Sequence, residues 1–202
     1  MWDVIVLHAV RQVEGDPARE QPLLERLPYA YRLALEQRDP PDRAASLQAL
    51  GMLDAGLRRV RAAPLDPSRL RFPEGGKPSL EGGPHFSISH CARHVAVAVS
   101  EQCSLGLDVE DVDAHGRSRL ELERWTAVEA TLKAIGAGLR RAPDVRLSPD
   151  RTAAEIDGVV LHLRPITSST DFVATLATRE PVRRVEVEEL GRRGQGTGDR
   201  GQ

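Results

Sequence analysis

The chain predicts an α+β fold built from two similar α/β halves, with a boundary near residue 105. Three observations carry that expectation. Runs rich in β-branched residues or alternating in polarity, such as "HFSISH", "HVAVAVS" and "SLGLDVEDV", read as strands. A long stripe of Leu47, Leu50, Leu53, Leu57 and Val60, in steps of three or four, reads as an amphipathic helix. The element order (strand, helices, strands, then helix and strands) gives both halves similar content without any repeat of sequence. The expected division is 1–104, 105–190 and a tail at 191–202, "GRRGQGTGDRGQ", which has almost nothing to bury and is expected to be disordered.

In chain order, residues 4–10 form the first expected strand, rich in valine and leucine. Residues 20–38 are helix-prone and stop at Pro40 and Pro41, after which Asp42 can cap the amphipathic helix. The proline- and glycine-rich segment 63–84 reads as loop. "HFSISH" follows, with Phe86 and Ile88 alternating against Ser87 and Ser89. The next two runs read as neighbouring strands joined by "SEQCS". A helix is expected over 119–141, and strands over 158–164, 171–178 and 182–188.

Composition narrows the classes of function. The 202 residues are 40% hydrophobic but only 3% aromatic, so the core must be aliphatic. A net charge of −2 argues against a general nucleic-acid binder, whose domains are usually basic. Two cysteines, Cys91 and Cys103, are too few for a disulfide framework and lack metal-site spacing. No run approaches a membrane span, and the start lacks a basic n-region, so a reduced, cytoplasmic protein without nucleic-acid or membrane partners is expected. Arginine supplies all but two of the 28 basic residues; Lys77 and Lys133 are the exceptions.

Chemistry concentrates in a few places. On a strand, residues two apart share a face, so Asp108 and Glu110 of "GLDVEDV" project together while Leu107 and Val109 face the core. Paired hard oxygen donors suit Mg²⁺, although two solvated carboxylates would read the same way. Glu129 and Lys133 are one helical turn apart, an arrangement that also serves helix stability alone. Lys77, in the glycine-rich "EGGKPSL", can reach an anion or simply sit on a surface loop. Arg43 opens a helix, where N–H groups favour phosphate, or is plain surface charge. His90 could equally be structural, and Cys91 has no identifiable base and receives no nucleophilic role.

Taken in order, "GGKPSL…PHFSISH", "GLDVE" and "WTAVEATLK" resemble the landmarks of the 4′-phosphopantetheinyl transferase superfamily, in its pseudodimeric, surfactin-synthetase-activator type. The resemblance covers roughly residues 40 to 140 and implies that pseudodimeric fold in a monomer. It implies that Asp108, Glu110 and Glu129 ligate Mg²⁺. Glu129 would be the base for a carrier-protein serine, and Lys133 would lie against the coenzyme A pyrophosphate. Arg43, Lys77, Pro78, Ser89 and His90 would hold the phosphates of the nucleotide. The implied reaction moves phosphopantetheine from coenzyme A to an apo acyl or peptidyl carrier protein, leaving adenosine 3′,5′-bisphosphate. Bound Mg²⁺ would then answer the mutual repulsion of the carboxylates.

Two features depart from the pattern. Val128 stands where the family carries a lysine, and the connection from Glu110 to Trp125 is short. Both bear on carrier recognition and rate more than on metal or coenzyme A binding. They leave open a relative that binds coenzyme A or a carrier without efficient transfer. A Mg²⁺-dependent pyrophosphate hydrolase is the weaker alternative, since it would not need the GKP and FSISH segments together.

Overall fold

A computed structural model of the chain describes residues 2–61, 63–73, 76–113, 116–166 and 170–191. The tail expected to be disordered lies, beyond Gly191, outside these residues. The first sheet has the order β11-β1-β5-β4, formed by Val182–Glu189, Trp2–Val10, His94–Ser100 and His85–His90. The second has the order β6-β10-β9-β8-β7, formed by Leu105–Asp111, Phe172–Thr178, Val159–Pro165, Ala153–Ile156 and Arg146–Leu147. A two-stranded ribbon, β2 (Leu70–Arg71) with β3 (Ser79–Leu80), interrupts the segment expected to be loop.

Strand alternation explains how these sheets stack. In β5, Val95, Val97 and Val99 face helix α3 (Pro40–Arg61) and its Leu47, Leu50, Leu53 and Leu57. Ala96 and Ala98 point the other way, with Val4 and Val6 of β1, onto Leu105, Leu107 and Val109 of β6. The second sheet is covered in turn by helix α4 (Arg119–Ile135) through Ala127, Ala130 and Leu132. The result is four layers: helix, sheet, sheet, helix. All seven residues of β5 are buried because both its faces are covered.

Several expectations need correction. The stretch 20–38 is two helices, α1 (Pro17–Arg26) and α2 (Tyr29–Glu36), since Pro28 cannot donate to a continuous helix. Pro40 and Pro41 open α3 rather than merely ending what precedes it, and Asp42 lies in its first turn instead of capping it. β5 and β6 are not paired; the chain changes sheets between them. α4 stops at Ile135, not at residue 141, because Gly136 adopts a left-handed conformation (φ 71°). The last strand, β11, leaves the second half and pairs in parallel with β1, so the halves expected at 1–104 and 105–190 share a strand. Edge pairing of β1, open on that side, outweighs the local content that suggested the boundary.

Candidate functional site

The site forms where the edge strands of the two stacked sheets meet. β4 ends the first sheet and β6 ends the second, and the serines of "FSISH" bridge them. Ser87 Oγ accepts the Leu107 N–H at 2.9 Å, and Ser89 Oγ accepts the Val109 N–H at 3.3 Å. The period of two that sends Phe86 and Ile88 to the α3 core therefore sends both serines to β6. On the outer side of β6, Gly106 leaves room for α4: a Cβ there would collide with the carbonyl oxygen of Ala130 and the amide nitrogen of Ala134. That close approach sets Glu129 and Lys133 beside Asp108.

Asp108, Glu110 and Glu129 each present a carboxylate oxygen within 4.8 Å of the others. Lys133 Nζ donates to Asp108 Oδ1 at 2.7 Å and to Ser89 Oγ at 3.0 Å, and lies 3.1 Å from Glu129 Oε1. Ser89 Oγ itself donates to Asp108 Oδ1 at 2.7 Å. Burial raises the Asp108 pKa, with the Glu129 charge adding to it, and Lys133 and Ser89 offset only part of the rise. Burial works against the Lys133 ammonium too, but Asp108 and Glu129 outweigh it and its pKa stands above the ordinary lysine value.

These groups fit a hard divalent cation. Asp108 is 2% exposed, and its Oδ2 is buried with no hydrogen-bond partner. An uncompensated carboxylate oxygen in that position calls for positive charge beyond the one ammonium present. Three carboxylates from a strand and a facing helix could hold such an ion. The repulsion in "DVE" is nonetheless answered first by Lys133, which pairs with Asp108 as well as with Glu129 one helical turn away.

Lys77 and Pro78 line a cleft of about 320 Å³ together with Ser87, Glu129 and Lys133. Its ammonium donates to the Leu105 carbonyl at the start of β6, and burial pulls its pKa down to about 8. Ser89 turns its hydroxyl inward onto Asp108. His90 ends β4 on the exposed side, its pKa lowered by burial and then by the charge of Arg11, with Asp42 opposing. Arg43 lies half-buried in the first turn of α3, and the cations acting on His90 are Arg11, Arg38 and Lys133.

Arg11 escaped the sequence reading. It ion-pairs with Asp42 and donates to the Cys91 carbonyl at 3.0 Å, while its Nε is buried without a partner. No local pattern marks it, since β1 and α3 meet only through the fold. Val128 is half-buried and borders a separate groove with Trp125, Arg124 and Arg146. Burial and the adjacent Asp111 push the Cys91 thiol up to about 12.

Fold and site together define an α+β protein with a group of three carboxylates, two of them paired with one lysine, at a seam between two sheets. The chain matches no family model and no curated protein. Among the described residues, no helix is long and apolar enough to cross a membrane.

Proposed function

We propose that the protein is a pseudodimeric 4′-phosphopantetheinyl transferase that moves phosphopantetheine from coenzyme A to a serine of an apo acyl or peptidyl carrier protein. The observation that carries this reading is the convergence of Asp108, Glu110, Glu129 and Lys133 beside a cleft walled by Lys77 and Pro78. Held by the three carboxylates, Mg²⁺ would supply charge to the pyrophosphate oxygens. Phosphoryl-type transfer asks a protein mainly for positioning and charge neutralisation. Glu129, 19% exposed at its side chain, would take the proton of an incoming hydroxyl. Lys133 leaves Asp108 to neutralise the departing phosphate. Lys77, His90 and Arg43, with Arg11 added, hold the phosphates of the nucleotide, and the second product is adenosine 3′,5′-bisphosphate.

The test incubates the protein with coenzyme A, Mg²⁺ and a panel of apo carrier proteins and follows intact mass. Addition of one phosphopantetheine to one serine is expected, and Asp108→Ala and Glu129→Gln abolish it. Full activity in either variant overturns the site. The ion pairing of Lys133 with Asp108 and Glu129 favours a second reading, a relative that binds coenzyme A or a carrier without efficient transfer. Coenzyme A binding with no mass addition on any carrier would select it.

A further inference from the structure

A second group of ligating atoms lies on the other face of β6. Asp111, one residue beyond Glu110, turns away from the carboxylate group and is 3% exposed. The tight turn from β4 to β5, closed by the Cys91 N–H on the His94 carbonyl at 2.9 Å, brings both of those side chains to it. Cys91 Sγ, a His94 ring nitrogen and an Asp111 oxygen all lie within 4.8 Å of one another. His94 Nδ1 is 2.7 Å from Asp111 Oδ1, the Arg93 N–H holds Oδ2 at 2.9 Å, and the Phe172 ring covers the imidazole with centroids 4.7 Å apart.

We propose that Cys91, His94 and Asp111 form a Zn²⁺ site that pins the β4–β5 turn to the end of β6. One sulfur, one imidazole nitrogen and one carboxylate oxygen are three of the donors Zn²⁺ takes in tetrahedral sites, with water as the fourth. Thiolate and imidazole are poor ligands for Mg²⁺, so the two faces of β6 select different cations by donor chemistry. The charge balances: thiolate and carboxylate neutralise the dication. One proton leaves Cys91 for solvent, and the histidine proton moves from Nδ1 to Nε2, freeing Nδ1 to ligate. Arg93, whose side chain is half exposed, swings out to solvent. His90 precedes Cys91 and Glu110 precedes Asp111, so the ion would hold both neighbours of the carboxylate seam in register. The proposal is independent of phosphopantetheinyl transfer.

The experiment titrates the full chain, freed of metal by chelator, with Co²⁺ as a spectroscopic probe. The wild type is expected to take one Co²⁺ with the visible bands of tetrahedral coordination and a sulfur-to-cobalt charge-transfer band, both lost when Zn²⁺ is added and retained in excess Mg²⁺. Cys103→Ser retains these bands, whereas Cys91→Ser and His94→Gln lose the tetrahedral spectrum. Absence of a thiolate–cobalt band in the wild type overturns the proposal without reference to any variant. So does a band that survives Cys91→Ser or vanishes in folded Cys103→Ser.

Discussion

Gly106 and Ala130 touch backbone to backbone: a Cβ on Gly106 would sit 2.9 Å from the carbonyl carbon of Lys133 and closer still to the Ala130 oxygen. Neither α4 nor β6 can yield locally, because the obstructing atoms are main chain. We therefore expect Gly106→Ala to destabilise the fold by about 1–3 kcal/mol, the usual cost of overpacking. It also draws Lys133 off Asp108. Urea unfolding measures the first effect, and loss of Mg²⁺-dependent stabilisation measures the second. Wild-type stability in this variant would mean that α4 does not rest on β6 as described.

Asp108 carries the clearest pH signature. Its folded pKa stands above the ordinary aspartate value of 3.8, so the folded state holds the proton more tightly than the unfolded chain. Stability from this group is present below that value and is lost as pH rises through the raised pKa. In metal-free protein, Asp108→Asn should gain on the wild type by on the order of 1 kcal/mol between pH 5 and pH 7.5. Added Mg²⁺ should stabilise the wild type at pH 7.5 by about 2.7 kcal/mol at one hundred times its dissociation constant, enough to reverse the order. Melting curves at the two pH values, with and without Mg²⁺, read both signs.

Having only two lysines makes their contrast measurable. Lys77 is pulled down to about 8 by burial, whereas Lys133 is held above its ordinary value by Asp108 and Glu129 despite burial. At pH 8 an amine-acetylating reagent should modify Lys77 well before Lys133, and adenosine 3′,5′-bisphosphate should slow the reaction. Peptide mapping by mass spectrometry distinguishes the two. Equal rates would remove the assigned difference in environment.

What could be read in advance was periodic. The β-strand alternation placed Asp108 with Glu110, and the helical turn placed Glu129 with Lys133, because each relation is contained in one element. Their convergence into one group depends on Gly106, whose importance has no local signature beyond being a glycine in a strand. The inward turn of Ser89, the burial of Lys77 and the arrival of Arg11 beside Asp42 all depend on contacts between distant segments. The pairing of β11 with β1 escaped for the same reason: a strand pattern shows that a segment will pair, not which edge is open.

The serine seam offers the last test, because its two members differ in what they hold. Ser87 Oγ takes one buried N–H, that of Leu107, whereas Ser89 Oγ takes the Val109 N–H, receives Lys133 Nζ and donates to Asp108. Leaving a buried donor unsatisfied costs about 1–3 kcal/mol, so both alanine variants should lose stability in that range. Only Ser89→Ala should couple to the site. In a double-mutant cycle with Asp108→Asn, Ser89→Ala should show an interaction energy of about 0.5–3 kcal/mol, and Ser87→Ala a smaller one. Urea unfolding of the six proteins supplies the cycles. Equal coupling for the two serines would mean that Ser89 acts only as a bridge between sheets and does not set the position of Asp108.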